Sequence, residues 1–289
     1  MITEIHAKTL LATIKQPDPW FGLKYNLNLY RGCQHQCIYC DSRSECYQIE
    51  NFSDILVKTN AIELLENELR RKRVKGTIGT GSMNDPYMPL EATHNLTGRA
   101  LQVIAAHAFP VHIITKGTLV LRDLPVLQDI ARTYAAVSMT ITTADDELGR
   151  QVEPGAPRPS ERFAALEKLS AAGIITGITM MPILPFIEDN PENIRLIVQK
   201  AANHGAKYIL AAFGVTLRDR QREYFYQQLE RRFPGLKEKY QRAFANRYNA
   251  PARDAHRLET QFKELCATSG IALRMPVYEP RVATQPQLF

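Results

Sequence analysis

Six short apolar runs of strand character alternate with runs of helical spacing along most of this chain, and this alternation limits the fold more than any other feature. The strand candidates are residues 24–30, 74–80, 111–115, 135–143, 173–184 and 207–213. The helix candidates are residues 55–73, 96–107, 124–133, 163–172, where Ser160 is a candidate N-cap, and a segment that opens at Asn190-Pro191. Strands joined through helices by short connections lie parallel, with right-handed crossovers. The sequence therefore predicts an α/β protein with a partial (β/α)6 TIM-like barrel and a C-terminal helical extension.

The chain divides by composition into four parts. We predict a lead-in over residues 1–23, the barrel over 24–216, a helical extension with a last strand near 271–278 over 217–280, and a flexible tail over 281–289. A chain of 289 residues can bury a full core. No segment reaches the roughly 20 apolar residues of a membrane helix, and the N-terminus lacks the pattern of a secretory signal. We expect a cytoplasmic protein, in which thiols stay reduced.

Three of the five cysteines lie together directly after the first strand candidate. Cys33, Cys37 and Cys40 have a C-x3-C-x2-C spacing, and Gly32 before them lets the backbone turn. Structural zinc takes four ligands, and ordinary iron–sulfur cubanes take four thiolates. Three thiolates around a [4Fe–4S] cluster leave one iron open to a substrate or cofactor. The spacing favours such a reactive cluster; a zinc knuckle completed by His35 and a redox cysteine loop are the alternatives.

Several segments resemble the radical S-adenosylmethionine enzymes. The cluster loop, with Tyr39 as the aromatic residue before the third cysteine, is typical of that superfamily. The segments YRGCQHQCIYC, GSMNDPYMPLE, ITKGTL, EPGAPRPSER and MPILP resemble its spore photoproduct lyase-like branch, also described as DNA repair photolyases. The resemblance implies the partial barrel, a [4Fe–4S] cluster held by the three cysteines, and S-adenosyl-L-methionine as cofactor. It also implies a 5′-deoxyadenosyl radical that abstracts hydrogen from the substrate.

Candidate cofactor contacts follow the carboxyl ends of the strands, where barrel active sites are built. They are Tyr39, Ser82, Asn84, Asp85, Lys116, Ser138 and Thr140. The resemblance implies that the loop of Ser82 to Asp85 holds the amino group of S-adenosylmethionine and that Lys116 pairs with its carboxylate. Ser138 and Thr140 are candidates for bonds to ribose or carboxylate oxygens, or they are strand formers without a ligand.

Two positions depart from the lyase pattern. Met83 stands where the lyase has a cysteine hydrogen donor, and Asp41 stands where it has a tyrosine directly after the third cluster cysteine. A methionine is a poor replacement for a thiol donor, so the sequence argues against repair of the thymine dimer itself. Cys46 is a candidate replacement donor, or a packing residue.

Charge and composition indicate partners. The net charge of +6 favours an anionic partner, and we expect nucleic acid, DNA before RNA. Basic and aromatic residues interleave over residues 218–248. Either they bind phosphates and stack on bases, or the aromatic residues form the core face of amphipathic helices and the basic residues form the solvent-exposed face. Gln285, Leu288 and Phe289 resemble the bacterial sliding-clamp-binding peptide. An electron donor such as flavodoxin or ferredoxin completes the expected partners.

The sequence thus predicts a radical enzyme of lyase-like type that acts on nucleic acid in repair or modification. Radical modification of a peptide or small metabolite is the first alternative. The second is a cluster-bearing protein that binds nucleic acid or the clamp without turnover.

Overall fold

The computed structural model describes residues 1–16, 18–49, 51–81 and 83–280. The strands are β1 (Ile2–Ile5), β2 (Leu11–Thr13), β3 (Tyr25–Leu27), β4 (Tyr30–Arg31), β5 (Ile55–Lys58), β6 (Ile78–Thr80), β7 (Val111–Thr115), β8 (Ala135–Thr140), β9 (Ile175–Met180), β10 (Tyr208–Ala211), β11 (Gly214–Thr216) and β12 (Asn249–Pro251). The α-helices are α1 (Ala61–Arg71), α2 (Glu91–His94), α3 (Leu96–Ala106), α4 (Leu124–Ala131), α5 (Asp146–Val152), α6 (Pro159–Ala171), α7 (Pro191–Asn203), α8 (Asp219–Arg232), α9 (Leu236–Phe244) and α10 (Ala255–Thr268). Short 3₁₀ helices lie at Asp41–Arg43, Glu45–Tyr47 and Thr118–Asp123.

A seven-stranded sheet in the order β10-β9-β8-β7-β6-β3-β2 carries the fold. The six strands from β3 to β10 in this sheet pair in parallel, and β2 adds antiparallel to β3 at one edge. Helices between successive strands cover the outside, and apolar side chains from both layers form one core. The predicted α/β class and partial barrel are confirmed. No helix among the described residues is long and apolar enough to cross a membrane.

The first predicted helix begins later than the sequence indicated. Residues 55–58 form strand β5, which pairs in parallel with β1 and antiparallel with β4 in a separate three-stranded sheet. Helix α1 starts only at Ala61. The helix expected over 55–73 was therefore wrong at its start. A local sequence pattern does not reveal strand β5, because its partner β1 lies far away in the chain, within the segment treated as a lead-in. Residues 74–77, also predicted as strand, precede β6.

Two helix starts test the predictions of N-caps. The side chain of Asn190 accepts a hydrogen bond from Asn193 N at 2.8 Å, with Pro191 at the first helical position, as predicted. Ser160 is not the N-cap of α6, which begins at Pro159 after the N-cap Arg158. Ser160 instead donates to Asp146 Oδ2 at 2.6 Å. Proline lacks an N–H, so the first helical position suits Pro159, and the cap lies two residues earlier than predicted.

The segment after the barrel packs on the cluster loop. Phe225, Tyr240 and Phe244 of α8 and α9 form a second apolar cluster with Cys37, Ile38 and Tyr39. Arg222 donates to backbone carbonyls at the turn after α9. For these residues of the basic and aromatic segment, the interpretation as faces of amphipathic helices is therefore favoured over binding of phosphates and bases. The last strand expected near 271–278 is limited to one bridge between Tyr208 and Ala272.

Three buried polar side chains form a connected group inside the barrel. His112 Nε2 lies 2.8 Å from Ser138 Oγ, which lies 2.7 Å from the hydroxyl of Tyr208. The ring of Phe21 stacks on His112 with centroids 4.8 Å apart. Burial lowers the pKa of His112 to about 3. The folded protein therefore holds this imidazole neutral.

The neutral His112 makes stability depend on pH. Between its ordinary pKa of about 6.5 and the folded value of about 3, the unfolded chain binds a proton that the folded chain does not. We expect this group to lower the free energy of unfolding by about 1.4 kcal/mol per pH unit as the pH falls below about 6. Urea denaturation between about pH 5 and 7 should show a flatter slope for His112→Asn than for the parent. His256→Asn, at an exposed position of α10, is the control and should keep the parent slope. Equal slopes for His112→Asn and the parent would contradict this account.

Candidate cluster and cofactor site

A cavity of about 600 Å³ opens at the carboxyl ends of the barrel strands. Eight of the predicted metal and cofactor residues line it: Cys33, Cys37, Tyr39, Cys40, Asn84, Asp85, Lys116 and Thr140. They come from the cluster loop after β4, the loop after β6, and the ends of β7 and β8. Parallel strands bring their carboxyl ends to one edge, which explains why residues distant in sequence meet here.

The cluster loop carries three free thiols. Cys33 and Cys37 are buried, and Cys40 is half-buried. Burial raises the pKa of all three, that of Cys37 to about 12, so the thiols stay protonated unless a cation offsets the charge. Reactive redox cysteines have lowered pKa values instead, which argues against the redox loop. Buried thiols that need a cation are soft donors of the kind that hold iron–sulfur clusters or zinc.

A zinc knuckle does not fit the loop. His35 Nδ1 lies 2.9 Å from Gly155 O, and its Nε2 lies 3.1 Å from Asp85 Oδ2, so the protein occupies both ring nitrogens. Within the described ranges, no three His, Cys, Asp or Glu side chains are arranged to hold a single metal ion. A cluster does not need its thiolates to converge on one point, because each thiolate binds a different iron. The donor set therefore fits a cluster and not zinc.

Asp85 joins three parts of the site. Its carboxylate accepts hydrogen bonds from Tyr87 N, from Thr115 Oγ1 at 2.6 Å and from Lys116 N at 2.6 Å. Burial alone would raise the pKa of Asp85, but the neighbouring His35 and these hydrogen bonds hold it well below its ordinary value. Protein groups already use both oxygens. Asp85 therefore holds the cluster loop and the end of β7 against the loop that follows β6.

Sequence reasoning missed a buried charge network beside Lys116. Glu153 accepts hydrogen bonds from Tyr39 and Arg162, and its Oε1 lies 3.8 Å from Lys116 Nζ. Burial alone would raise the pKa of Glu153, but Arg162 and Lys116 lower it. Burial alone would lower the pKa of Lys116, but the negative charge of Glu153 acts in the opposite direction and the pKa is raised. Lys116 is thus held charged on the cavity wall. The only signal in the sequence was that Glu153 and Arg162 begin and end one of the matching segments.

Two predicted residues, Ser138 and Cys46, do not line the cavity with the others. Ser138 is fully buried in the group with His112 and Tyr208, one layer below Thr140. Cys46 is exposed, and its sulfur accepts from Arg218 Nη1 at 3.4 Å, so the structure does not support its role as a hydrogen donor. Ser82 lies outside the described residues.

The two departures from the lyase pattern both line the cavity. Met83 lies on its wall, as does Asp41. Asp41 Oδ1 accepts from Thr216 Oγ1 at 3.1 Å and lies 2.9 Å from Arg218 Nε. The residue after the third cysteine is therefore held by the start of the C-terminal extension.

Comparison with known families agrees with this site. A family model described as the Radical SAM superfamily matches residues 27–197, which include the cluster loop and strands β6 to β9. The chain belongs to the radical S-adenosylmethionine superfamily. It is therefore an enzyme of a superfamily that uses S-adenosylmethionine and an iron–sulfur cluster, as the sequence predicted.

Relatives of this radical S-adenosylmethionine enzyme occur in bacteria, archaea and a phage. It is 33% identical over 230 residues to an uncharacterized protein of Mycobacterium tuberculosis, covering 76% of this chain and 67% of that protein. It is 34% identical over 193 residues to an uncharacterized protein of Methanocaldococcus jannaschii, covering 65% and 70%. It is 22% identical over 181 residues to the radical SAM Nalpha-GlyT isomerase of Pseudomonas phage M6, covering 63% and 37%.

Solved structures share the fold. Spore photoproduct lyase complexed with dinucleoside spore photoproduct superimposes with a TM-score of 0.70 at 17% identity, covering 94% of this chain and 81% of the lyase. The methyltransferase TsrM from Kitasatospora setae, with its tryptophan substrate bound, superimposes with a TM-score of 0.58 at 11% identity, covering 83% and 51%. The predicted likeness to spore photoproduct lyase is confirmed at the level of the fold.

The network beside Lys116 gives a stability prediction. Glu153→Gln leaves Arg162, which is only 1% exposed, as a buried charge without its partner carboxylate. We expect a loss of about 3 kcal/mol in the free energy of unfolding, measured by urea denaturation. The matched control is Asp189→Asn, whose partner Arg253 is half-exposed and keeps its hydration, so the loss should be clearly smaller. Equal losses would show that the burial of Arg162 is not the cause.

Proposed function

We propose that this protein binds a [4Fe–4S] cluster through Cys33, Cys37 and Cys40 and cleaves S-adenosylmethionine reductively. The observation that carries the proposal is that three free, mostly buried thiols and the charged Lys116 line one cavity. Three thiolates leave one iron of a cubane without a protein ligand. The amino and carboxylate groups of S-adenosylmethionine suit such an iron.

The protein's own residues bind and orient the cofactor. When bound, the reduced cluster supplies the electron that splits S-adenosylmethionine into methionine and a 5′-deoxyadenosyl radical, which abstracts hydrogen from the substrate. Lys116 pairs with the carboxylate of the cofactor, because its ammonium lies on the cavity wall, where its contact with Glu153 is as long as 3.8 Å. Tyr39, Asn84 and Thr140 are further proposed contacts on the same wall. The barrel encloses the reacting atoms and limits access of water.

Nucleic acid is the substrate class that we propose, with DNA favoured. The net charge of +6 and the fold shared with a lyase that binds a dinucleoside photoproduct support it. Met83 on the cavity wall and the exposed Cys46 argue against a cysteine donor, and hence against repair of the thymine dimer by that route. We therefore favour another modification or lyase-type repair of a nucleotide.

Radical modification of a peptide or small metabolite is the second candidate. The observation that favours it is the fold shared with TsrM, whose structure holds tryptophan. The use of Arg218 and Arg222 in internal contacts also removes two basic residues from a nucleic-acid surface.

The electron donor is proposed to be a flavodoxin or a ferredoxin, in the reducing cytoplasm that an iron–sulfur enzyme of this kind needs. The clamp-binding peptide with Gln285, Leu288 and Phe289 lies outside the described residues and stays a prediction.

The cofactor chemistry is tested by anaerobic reconstitution with iron and sulfide. After reduction with S-adenosylmethionine, we expect the parent to form 5′-deoxyadenosine, and a variant with Cys33, Cys37 and Cys40 all changed to Ala to form none. Chromatography quantifies the product. A parent that holds its cluster but forms no 5′-deoxyadenosine would favour the binding protein without turnover.

The substrate class is tested by binding at two salt concentrations. We expect oligonucleotides to bind with an affinity that falls as salt rises, because phosphate contacts release counterions. Fluorescence anisotropy with labelled single- and double-stranded DNA and RNA measures this. If none of them binds in a salt-dependent way, the favoured substrate class becomes a peptide or small metabolite.

A further inference from the structure

Arg43 has an unusual environment on the outer side of the cluster loop. It ends the 3₁₀ helix that follows Cys40, and its guanidinium lies between two aromatic rings. The distance to the ring centroid is 3.5 Å for Tyr224 of α8 and 4.5 Å for Phe52. A planar guanidinium packs well on aromatic faces, so the two rings fix its position.

Hydrogen bonds tie the same guanidinium to the cysteine loop. Arg43 Nη2 donates to Gln36 Oε1, and Gln36 Nε2 donates to the carbonyl of Cys33 at 2.6 Å. The side chain of Gln36 thus joins the cation to the backbone of a cluster ligand. Three separate groups, two rings and one amide, hold the charge beside the loop.

The charge of Arg43 is not neutralised by a carboxylate in the described ranges. The acidic side chains on either side of it have other partners, since Asp41 pairs with Arg218 and Glu45 with Arg220. Burial lowers the pKa of Arg43, whereas negative charge on the thiolates of Cys40, Cys37 and Cys33 would act in the opposite direction. All three cysteines therefore lie within the field of this cation.

We propose that Arg43 raises the reduction potential of the iron–sulfur cluster held by Cys33, Cys37 and Cys40, and that Tyr224, Phe52 and Gln36 hold it in place for this. The inference rests on the proposed function, because it needs the cluster. In the step concerned, one electron passes from the reduced flavodoxin or ferredoxin to the cluster, so the donor is oxidised, the cluster is reduced and no bond changes. A cluster with three thiolates becomes more negative on reduction, and a fixed cation stabilises the more negative state.

The test is the midpoint potential of the reconstituted cluster, measured by EPR during an anaerobic redox titration. In Arg43→Met the side chain keeps its length but loses its charge. We expect the ratio of reduced to oxidised cluster at a given potential to fall about tenfold, which is a shift of about 59 mV to lower potential for a one-electron couple. Arg43→Lys keeps a positive charge and should recover most of the parent potential.

Two further variants test whether the position of Arg43 matters and whether any other positive charge nearby has the same effect. Tyr224→Leu keeps Arg43 but removes the nearer ring, and we expect a shift in the same direction and of smaller size. Arg220→Met removes a cation from the same helix α8, paired with Glu45 at 3.7 Å, and should leave the potential unchanged. If Arg43→Met does not retain a cluster, Tyr224→Leu still decides between a shift and none.

The outcomes distinguish this inference from the proposed function. A parent without a cluster after reconstitution overturns both. A parent with a cluster, together with Arg43→Met and Tyr224→Leu at the parent potential, overturns only the role of Arg43. An equal shift in Arg220→Met also overturns it, because the effect would then belong to surface charge in general.

Discussion

The buried carboxylate of Asp85 is the constraint on which the rest of the site depends. A carboxylate that is 8% exposed is stable only if other groups supply positive charge and hydrogen bonds. His35 comes from the cluster loop, and Thr115 and Lys116 come from the end of β7. The need to satisfy one charge thus fixes three loops against each other, and the cavity forms between them.

A second set of buried charges sets the electrostatics of the cavity wall. Arg162 from α6 and Tyr39 from the cluster loop both donate to Glu153. Arg162 balances Glu153, and the remaining positive charge belongs to Lys116, which faces the cavity. Lys116 therefore places a positive charge on the cavity wall.

The C-terminal extension belongs to the site as well as to the fold. Gln221 of α8 donates to the backbone carbonyl of Tyr39 at 3.1 Å, and Asp219 accepts from Ser44 and from Glu45 N. The ring of Tyr224 covers Arg43. Residues near the end of the chain thus hold the segment that follows the third cysteine, so the extension helps to shape the cluster loop and its charge.

The sequence by itself determined the class of fold, the cluster loop and eight of the residues that line the cavity. Strand and helix periods are local, and the carboxyl ends of parallel strands always share one edge, so Lys116 and Thr140 were placed correctly from pattern alone. Tertiary structure decided what depends on distant pairing. Strand β5 pairs with the distant β1, Ser138 is fully buried beside His112, and Cys46 is exposed. The roles of Glu153, Arg162 and Arg43 also arose only in the folded chain, because the effect of a charge depends on its burial and on partners that no local pattern reveals.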